Sequence, residues 1–206
     1  MSLIRRTLMA AFAAMLALSA VAAIPARAQV AAVTAQDRVL GRADAPVTVI
    51  EYASFSCNHC AAWHNDVYPA FKSRFVDTGQ VRYVFRNLPT QPQQMSLSGA
   101  ALARCAVTEK FFDVASLLMR NQEAALDGGP LQDWYRPAIA ASGRTQAQIE
   151  ACVGSTETQA AINADIESAV AAGVNSTPSF FVNGKPVTDR SLTGLEAAIH
   201  AARAGG

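Results

Sequence analysis

Two segments of this 206-residue chain combine β-branched and aromatic residues in the runs that are typical of buried strands. Residues 47–53 (Val-Thr-Val-Ile-Glu-Tyr-Ala) form the first run and residues 81–85 (Val-Arg-Tyr-Val-Phe) the second, so both predict strands of a sheet. Between them an apolar stripe repeats at helical spacing, through Cys60, Trp63, Val67, Phe71 and Phe75. Pro69 lies within this stripe, and we expect it to divide the helix into two pieces.

The remaining pattern is helical up to a closing hairpin. Apolar positions recur three or four residues apart over residues 93–172, with a break at the Asp-Gly-Gly-Pro of residues 127–130. The pair Asn183-Gly184 between β-prone segments then predicts a hairpin, and a last apolar stripe predicts a closing helix. Residues 29–36 show no period and are expected to form a loose lead-in. The order of strand, helix, strand, long helical stretch, hairpin and helix indicates an α/β fold.

The N-terminus has the pattern of a secretory signal peptide. The basic pair Arg5-Arg6 is followed by an apolar stretch and by a small-x-small motif that ends at Ala28. We therefore expect cleavage after Ala28, with residues 1–28 as the signal peptide and residues 29–206 as a mature chain in the periplasm. The apolar stretch ends at Pro25 and is short for a membrane anchor. The Arg5-Arg6 pair resembles a twin-arginine signal, but two arginines also occur in ordinary basic n-regions, so general secretion is favoured.

Charge and length restrict the classes of function. The formal net charge is +1 at pH 7, and it becomes slightly negative once the three arginines of the signal peptide are lost. Nucleic-acid binding needs clustered Lys and Arg, so no nucleic-acid partner is expected. A mature chain of this length can bury a core and is expected to form one compact unit. Nothing in the pattern indicates a dimer surface, and we expect a monomer.

The strongest chemical motif is Cys57-Asn58-His59-Cys60, at the junction between the first strand and its helix. Ser56 is a good N-cap, which places Cys57 at a helix N-terminus, where backbone N–H groups and the helix dipole stabilise a thiolate. His59 adds a donor or a partial positive charge. We expect Cys57 to be the exposed nucleophile with a lowered pKa and Cys60 to be the shielded thiol. A chance pair or half of a zinc site is the alternative, but the strand-to-helix position favours the redox interpretation.

A second cysteine pair, Cys105 and Cys152, lies on the apolar sides of predicted helices in the long helical stretch. In an exported protein two such cysteines most often form a disulfide, which would stabilise the fold by roughly 4 kcal/mol through the restricted unfolded chain. Two free buried thiols are the alternative. The pair lacks the Cys-x-x-Cys spacing and a helix-tip position, so we interpret it as structural. The four cysteines have no zinc-finger spacing, and no metal site is expected.

Two longer motifs resemble the DsbA family of exported thiol:disulfide oxidoreductases. One is Glu-Tyr-Ala-Ser-Phe-Ser-Cys-Asn-His-Cys at residues 51–60, and the other is Gly-Val-Asn-Ser-Thr-Pro-Ser-Phe-Phe-Val-Asn-Gly at residues 173–184. The resemblance covers nearly the whole mature chain. It implies a thioredoxin fold with an inserted helical subdomain at about residues 90–172. It also implies a dithiol oxidase that needs no diffusible cofactor.

The resemblance implies roles for individual residues. Cys57 matches the family's attacking cysteine and Cys60 its buried partner. Pro178 matches the cis-proline that faces the active site, and the exposed backbone of Thr177 is expected to pair with an extended substrate chain; an ordinary trans proline is the alternative. Glu51 matches the buried acid that exchanges protons with Cys60 through water. A Glu51 whose carboxylate reaches solvent at the strand end is the alternative there.

The implied reaction is donation of the Cys57–Cys60 disulfide to reduced, unfolded exported proteins, followed by reoxidation by a DsbB-like quinone-linked membrane protein. Two residues depart from the best-known oxidising member, which has proline at the position of Asn58 and valine at that of Thr177. Both positions influence redox poise, so the strongly oxidising character of that member is not transferred to this chain. A disulfide isomerase or reductase on the same scaffold is the first alternative. A non-enzymatic chaperone or copper-binding module is the second.

Other residues with functional side chains have simpler interpretations. His64, one helical turn after Cys60, is expected to be a solvated helix histidine, and His200 lies in the closing helix with no partner pattern. Three aromatic residues are expected to line the core or a groove: Tyr52, Phe55 and Trp63.

Overall fold

The computed structural model describes residues 30–205. Five strands form one mixed sheet in the order β1-β3-β2-β4-β5. They are β1 (Arg38–Leu40), β2 (Val47–Ala53), β3 (Val81–Asn87), β4 (Ser179–Val182) and β5 (Lys185–Val187). β2 and β3 run parallel, and each other neighbouring pair is antiparallel. The predicted signal peptide, residues 1–28, lies outside the described residues.

Within residues 30–205 the chain forms nine α-helices. They are α1 (Asn58–Asp66), α2 (Tyr68–Phe71), α3 (Gln93–Cys105), α4 (Phe111–Arg120), α5 (Gln122–Leu126), α6 (Leu131–Ala141), α7 (Gln146–Val153), α8 (Thr156–Ala171) and α9 (Leu192–Ala204). The break between α1 and α2 lies at Val67, just before Pro69, as the sequence predicts. Among the residues that the structure describes, no helix is both long enough and apolar enough to cross a bilayer.

The central strand β2 is buried on both faces and separates two cores. Val47, Val49 and Ala53 face the larger core, which also contains α1 and the helices after β3. Ile50 and Tyr52 face a smaller core on the other side of the sheet. A strand buried on both faces has a continuous apolar run and no polar alternation, which explains why residues 47–53 are so easily recognised in the sequence.

Helices α3 to α8 lie between β3 and β4, in the stretch expected to form the helical subdomain. α3 packs against α4, α7 and α8, and α4 also packs against the active-site helix α1. A disulfide joins Cys105, the last residue of α3, to Cys152 in α7, with Cα atoms 5.7 Å apart. The hydroxyl of Thr158 in α8 lies 3.5 Å from each of these sulfur atoms. The bridge therefore connects α3 to α7 and contacts the start of α8.

The segment before β1 is docked on the sheet, so the expectation of a loose lead-in is wrong for residues 30–36. Arg86, which is buried in β3, donates to both carboxylate oxygens of Asp37 at 2.8 and 3.0 Å. The same guanidinium donates to the carbonyl oxygens of Ala31 and Ala32, both at 3.0 Å. This segment has no apolar period of its own, and the residue that holds it lies 49 positions from Asp37 in the sequence.

Candidate active site

Cys57 caps the N-terminus of α1. Its backbone is extended (φ −96°, ψ 113°), and its sulfur accepts the backbone N–H of Cys60 at 3.2 Å. The sequence favours Ser56 as the cap, which is wrong, because the Ser56 hydroxyl donates to the carbonyl of Thr90 at 3.1 Å. The cysteine side chain thus takes the position that a Ser or Asp oxygen occupies in most helices.

A buried cluster of hydroxyl groups supports the turn between β2 and α1. The Ser54 hydroxyl lies 2.7 Å from that of Ser96 in α3, and it accepts the hydroxyl of Thr90 at 2.8 Å. The Cys57 N–H donates to the Ser54 carbonyl at 3.2 Å. This hydroxyl cluster (Ser54, Thr90 and Ser96) connects the active-site turn to the helical insertion and to the loop after β3.

The surroundings of Cys57 stabilise its thiolate. A hydrogen bond from the Cys60 thiol lowers the pKa of Cys57 to about 6, although partial burial of the sulfur works against this shift. Hydrogen bonds from Thr177 and from the backbone N–H groups of Cys60 and His59 are smaller contributions to this lowered pKa. His59 itself is exposed, and its contribution here is its backbone N–H. Cys57 is therefore mostly ionised at neutral pH.

Cys60 has the opposite character. Its side chain is fully buried, and burial raises the pKa of the Cys60 thiol, together with its hydrogen bond to Cys57 and the negative charges of Cys57 and Glu51. Both cysteines are free thiols in this structure. The motif thus places a half-exposed thiolate next to a buried, protonated thiol.

The Thr177–Pro178 peptide bond is cis and lies beside Cys57. The Cys57 thiol is 3.5 Å from the carbonyl oxygen of Thr177. This peptide immediately precedes β4, whose residue Ser179 pairs with Tyr52 at the end of β2. Because β2 leads into the active-site turn, the sheet itself brings the proline loop to the N-terminus of α1.

Glu51 lies on the face of β2 that points to the larger core. Its carboxylate oxygen Oε2 accepts a hydrogen bond from the hydroxyl of Tyr83 and lies at hydrogen-bond distance, 3.1 Å, from Nε2 of His64. The alternative in which the carboxylate reaches solvent is wrong, because Glu51 is 0% exposed. The Glu51 charge contributes to the raised pKa of Cys60, so both groups belong to the same buried region.

His64 is buried, so the expectation of a solvated helix histidine is wrong. The residue is 5% exposed, and its ring packs against Trp63, Tyr68 and Phe85 with centroid distances of 5.2, 5.0 and 5.9 Å. His64 follows Cys60 by four residues and therefore lies on the same buried face of α1. That spacing is the sequence signal that identifies it.

A comparison with known families agrees with this geometry. A family model described as thioredoxin matches residues 33–201, nearly all of the described chain. The chain belongs to the thioredoxin family.

Known relatives extend this thioredoxin assignment. A Rickettsia typhi protein with the provisional name protein-disulfide oxidoreductase is 30% identical over 167 residues, which cover 79% of this chain and 60% of the relative. This thioredoxin-family chain thus spans about 60% of the length of that curated relative. The remaining length of the relative has no counterpart in the match.

Solved structures of low sequence identity share the fold of this thioredoxin-family chain. The crystal structure of Wolbachia pipientis alpha-DsbA1 is similar with a TM-score of 0.73 and 24% identity, over 84% of this chain and 94% of that one. Oxidised BdbD from Bacillus subtilis gives a TM-score of 0.70 and 19% identity, over 82% and 94%. The expected thioredoxin fold with a helical insertion of the DsbA type is confirmed.

The thioredoxin-family site combines residues that the sequence singles out with two that it does not. The structure brings together Glu51, Cys57, Cys60, Thr177 and Pro178. His64 and Tyr83 join them through Glu51. From the sequence, His64 is expected to be solvated and Tyr83 has no predicted role; alternation along β3 is the signal for Tyr83. The Cys105–Cys152 bridge lies between α3 and α7, in the insertion. Over the described part of the chain, no group of three or more His, Cys, Asp or Glu residues could hold a metal ion.

Proposed function

We propose that this protein is an exported thiol:disulfide oxidoreductase that donates a Cys57–Cys60 disulfide to reduced proteins in the periplasm. The observation that carries the proposal is the asymmetry of two thiols at one helix N-terminus. A hydrogen bond from Cys60 lowers the pKa of Cys57 to about 6, whereas burial raises the pKa of Cys60. A stabilised Cys57 thiolate favours the reduced pair, which makes the oxidised pair an oxidant.

The exchange proceeds in two displacements. A substrate thiolate attacks the Cys57 sulfur of the oxidised pair, forms a mixed disulfide and expels Cys60 as a thiolate, which takes up a proton. A second substrate thiolate attacks the substrate sulfur of the mixed disulfide, which forms the product disulfide and releases the Cys57 thiolate. Two electrons pass from substrate to enzyme. A leaving thiolate of low pKa departs faster, so the lowered pKa of Cys57 assists the second step.

The cis Thr177–Pro178 peptide is the proposed substrate contact. The Thr177 carbonyl lies 3.5 Å from the Cys57 sulfur, so a chain bound to Cys57 lies beside this backbone. Pairing between an extended chain and exposed backbone depends little on the side chains of the substrate. This mode suits reduced, unfolded exported proteins of varied sequence.

Glu51 is the proposed proton partner of Cys60. Its buried carboxylate belongs to the same region as the thiol and contributes to the raised pKa of Cys60. A carboxylate held near a reacting thiol can accept or return its proton as the disulfide closes or opens.

Turnover requires reoxidation of the reduced pair. The partner we propose is a DsbB-like quinone-linked membrane protein, which the family resemblance implies. Because electrons pass directly between sulfur atoms, no diffusible cofactor is needed. The same proposal includes residues 1–28 as a signal peptide that is cleaved after Ala28, since disulfide donation needs an oxidising compartment.

A disulfide isomerase or reductase is the second candidate. Thr177 favours it, because threonine before the cis-proline also occurs in isomerases with this scaffold. An isomerase has to reduce wrong disulfides, so its pair must be less oxidising than that of a dedicated donor.

The reduction potential of the Cys57–Cys60 pair tests the proposal. The mature protein is equilibrated with mixtures of reduced and oxidised glutathione, quenched with acid, alkylated and analysed by mass spectrometry, with Cys57→Ser as the variant that cannot exchange. We expect a potential at or above about −180 mV, the range of protein oxidants. A potential near roughly −270 mV, that of thioredoxin, would contradict the oxidase proposal and indicate a reductase.

A further inference from the structure

The buried region behind Cys60 contains more polar groups than the exchange at Cys57 uses. Glu51 in β2, His64 in α1, Tyr68 in α2 and Tyr83 in β3 are all buried there. Two donors, from His64 and Tyr83, converge on the single oxygen Oε2 of Glu51. Among the described residues, Glu51 Oε1, His64 Nδ1 and the Tyr68 hydroxyl have no hydrogen-bond partner.

The two contacts on Oε2 determine which group is the donor between His64 and Glu51. The Tyr83 hydroxyl donates to this oxygen, and a carboxylate oxygen accepts from each neighbour, so His64 donates its Nε2 hydrogen. A buried carboxylate requires such donors, because an unpartnered buried charge is costly. Both donors occupy Oε2, which leaves Oε1 as the available acceptor of Glu51.

Cys60 belongs to the same region as this carboxylate. It lies one helical turn before His64, on the same face of α1. The Cys60 thiol has to lose its proton before its sulfur can close the disulfide, because the thiolate is the nucleophile. Burial opposes that loss and raises the pKa of Cys60, so closure needs a nearby acceptor that is already oriented.

We propose that His64 is a positioning residue for disulfide closure: its Nε2 hydrogen bond to Oε2 holds the Glu51 carboxylate so that Oε1 takes the proton of Cys60 through water. The inference rests on the proposed function, in which Glu51 is the proton partner of Cys60. His64 acts only through Glu51. Tyr83 is the second donor on the same oxygen, and Tyr68 packs against the His64 ring.

The Cys57–Cys60 disulfide closes in two displacements when a disulfide oxidant reacts with the reduced pair. The Cys57 thiolate first attacks a disulfide of the oxidant, which forms a mixed disulfide and releases one oxidant thiolate. Cys60 then passes its proton through water to Glu51, and its sulfur attacks the Cys57 sulfur. The bond between Cys57 and the oxidant breaks, and the oxidant leaves as a second thiolate. The pair loses two electrons and the oxidant gains them. In disulfide donation the proton returns from Glu51 to Cys60.

A purely structural role for His64 is the competing explanation. The ring packs among aromatic side chains, and a histidine could fill that space without any effect on the chemistry. The two explanations differ in which nitrogen matters. Packing depends on the shape of the ring, whereas positioning depends on a donor at Nε2.

Two amide substitutions separate these explanations. In His64→Gln the side-chain nitrogen can occupy the place of Nε2, whereas in His64→Asn it reaches only the place of Nδ1. Both replacements are polar and uncharged, so they differ mainly in reach. His200→Asn is the matched surface control, because His200 is exposed in α9.

The measurement follows the reaction of the reduced protein with oxidised glutathione. Samples are acid-quenched at increasing times, and mass spectrometry separates the reduced protein, the glutathione adduct on Cys57 and the closed disulfide. We expect His64→Asn to form the adduct at the wild-type rate but to close it about tenfold more slowly, the effect of one lost hydrogen bond to a charged group. The adduct therefore accumulates. His64→Gln and His200→Asn should close within about twofold of wild type.

A double variant tests whether the effect passes through Glu51. Glu51→Gln alone should slow closure, and adding His64→Asn should slow it no further, since residues in one network are not additive. Equal closure rates in wild type, His64→Gln and His64→Asn would overturn the proposal. Equal slowing in both amide variants would assign His64 to packing, and it would overturn the proposal as well.

A measurement on the unmodified protein covers the case in which the Asn variant does not fold. Nitrogen-15 NMR of the histidine rings reports which ring nitrogen carries the hydrogen. We expect a hydrogen on Nε2 of His64, and a ring protonated only at Nδ1 would overturn the proposal. Failure of the proposed function looks different: the wild-type protein itself would have a thioredoxin-like potential or would not react with glutathione.

Discussion

The Cys57 sulfur accepts the backbone N–H of Cys60 at 3.2 Å, so the buried cysteine stabilises the thiolate of the exposed one. The Cys60 thiol adds a second hydrogen bond, which is the largest influence on the pKa of Cys57. The two residues thus differ in reactivity because of their mutual contacts as well as their exposure. This relationship makes the behaviour of each cysteine dependent on the other.

The rate of alkylation of Cys57 should report its lowered pKa. Only the thiolate reacts with iodoacetamide, so the rate should rise with pH around a midpoint near 6 and change little above pH 7. An ordinary cysteine has its midpoint near 8.5. The rate is measured on the reduced protein by mass spectrometry, which distinguishes Cys57 from the unreactive Cys60.

The Cys60→Ala variant tests the cause of that shift. Because the Cys60 thiol supplies the largest stabilising hydrogen bond, its removal should move the alkylation midpoint to higher pH. A native midpoint above about pH 8, or an unchanged midpoint in Cys60→Ala, would contradict the electrostatic account of the site.

Removal of the Cys105–Cys152 bridge should lower stability and preserve exchange. The double variant Cys105→Ser/Cys152→Ser loses the connection between α3 and α7. We expect its free energy of unfolding to fall by up to roughly 4 kcal/mol, because its unfolded chain is less restricted. Urea unfolding is compared in a Cys57→Ser/Cys60→Ser background, which removes differences in active-site redox state. Equal free energies of unfolding would show that the bridge is not a stabilising element.

Substitution of Arg86 should release the segment before β1. Arg86→Met leaves the buried Asp37 carboxylate without its partner, which we expect to cost about 3 kcal/mol or more of folding free energy. Hydrogen exchange should accelerate in residues 30–37. The matched control is Arg42→Met, which removes an exposed ion pair with Asp44 and should change stability little. Similar decreases in the free energy of unfolding of the two variants would refute the anchoring role of Arg86.

Local sequence patterns predict the central parts of this fold. The β2 segment and the stripe of α1 each bury a continuous surface, so their periods are clear in the sequence. The position of the Cys-x-x-Cys motif at the junction between this strand and this helix follows from the same two patterns. The Asn183-Gly184 hairpin is equally local, because the turn residues themselves determine it.

The features that the sequence does not predict depend on distant partners. Ser56 has the chemistry of a cap, but Thr90 engages its hydroxyl, and Cys57 takes the cap position. β1 exists because β3 offers an edge and Arg86 holds the segment before it. His64 appears polar along the chain, and only the position of Glu51 on the neighbouring strand gives it a buried partner. In each case tertiary contacts override the local preference.

The direct pairing of β2 with β4 has a consequence for how such a protein can change. Tyr52 and Ser179 face each other in the sheet, so backbone hydrogen bonds at the centre of the fold determine how far Cys57 lies from the Thr177–Pro178 peptide. Exposed side chains farther from Cys57 are not needed to maintain that distance. A designer could therefore replace exposed residues away from residues 57–60 and 177–178 and retain the spacing between Cys57 and the Thr177–Pro178 peptide. The sheet thus maintains the geometry of the site, and the surface farther from Cys57 can be altered separately.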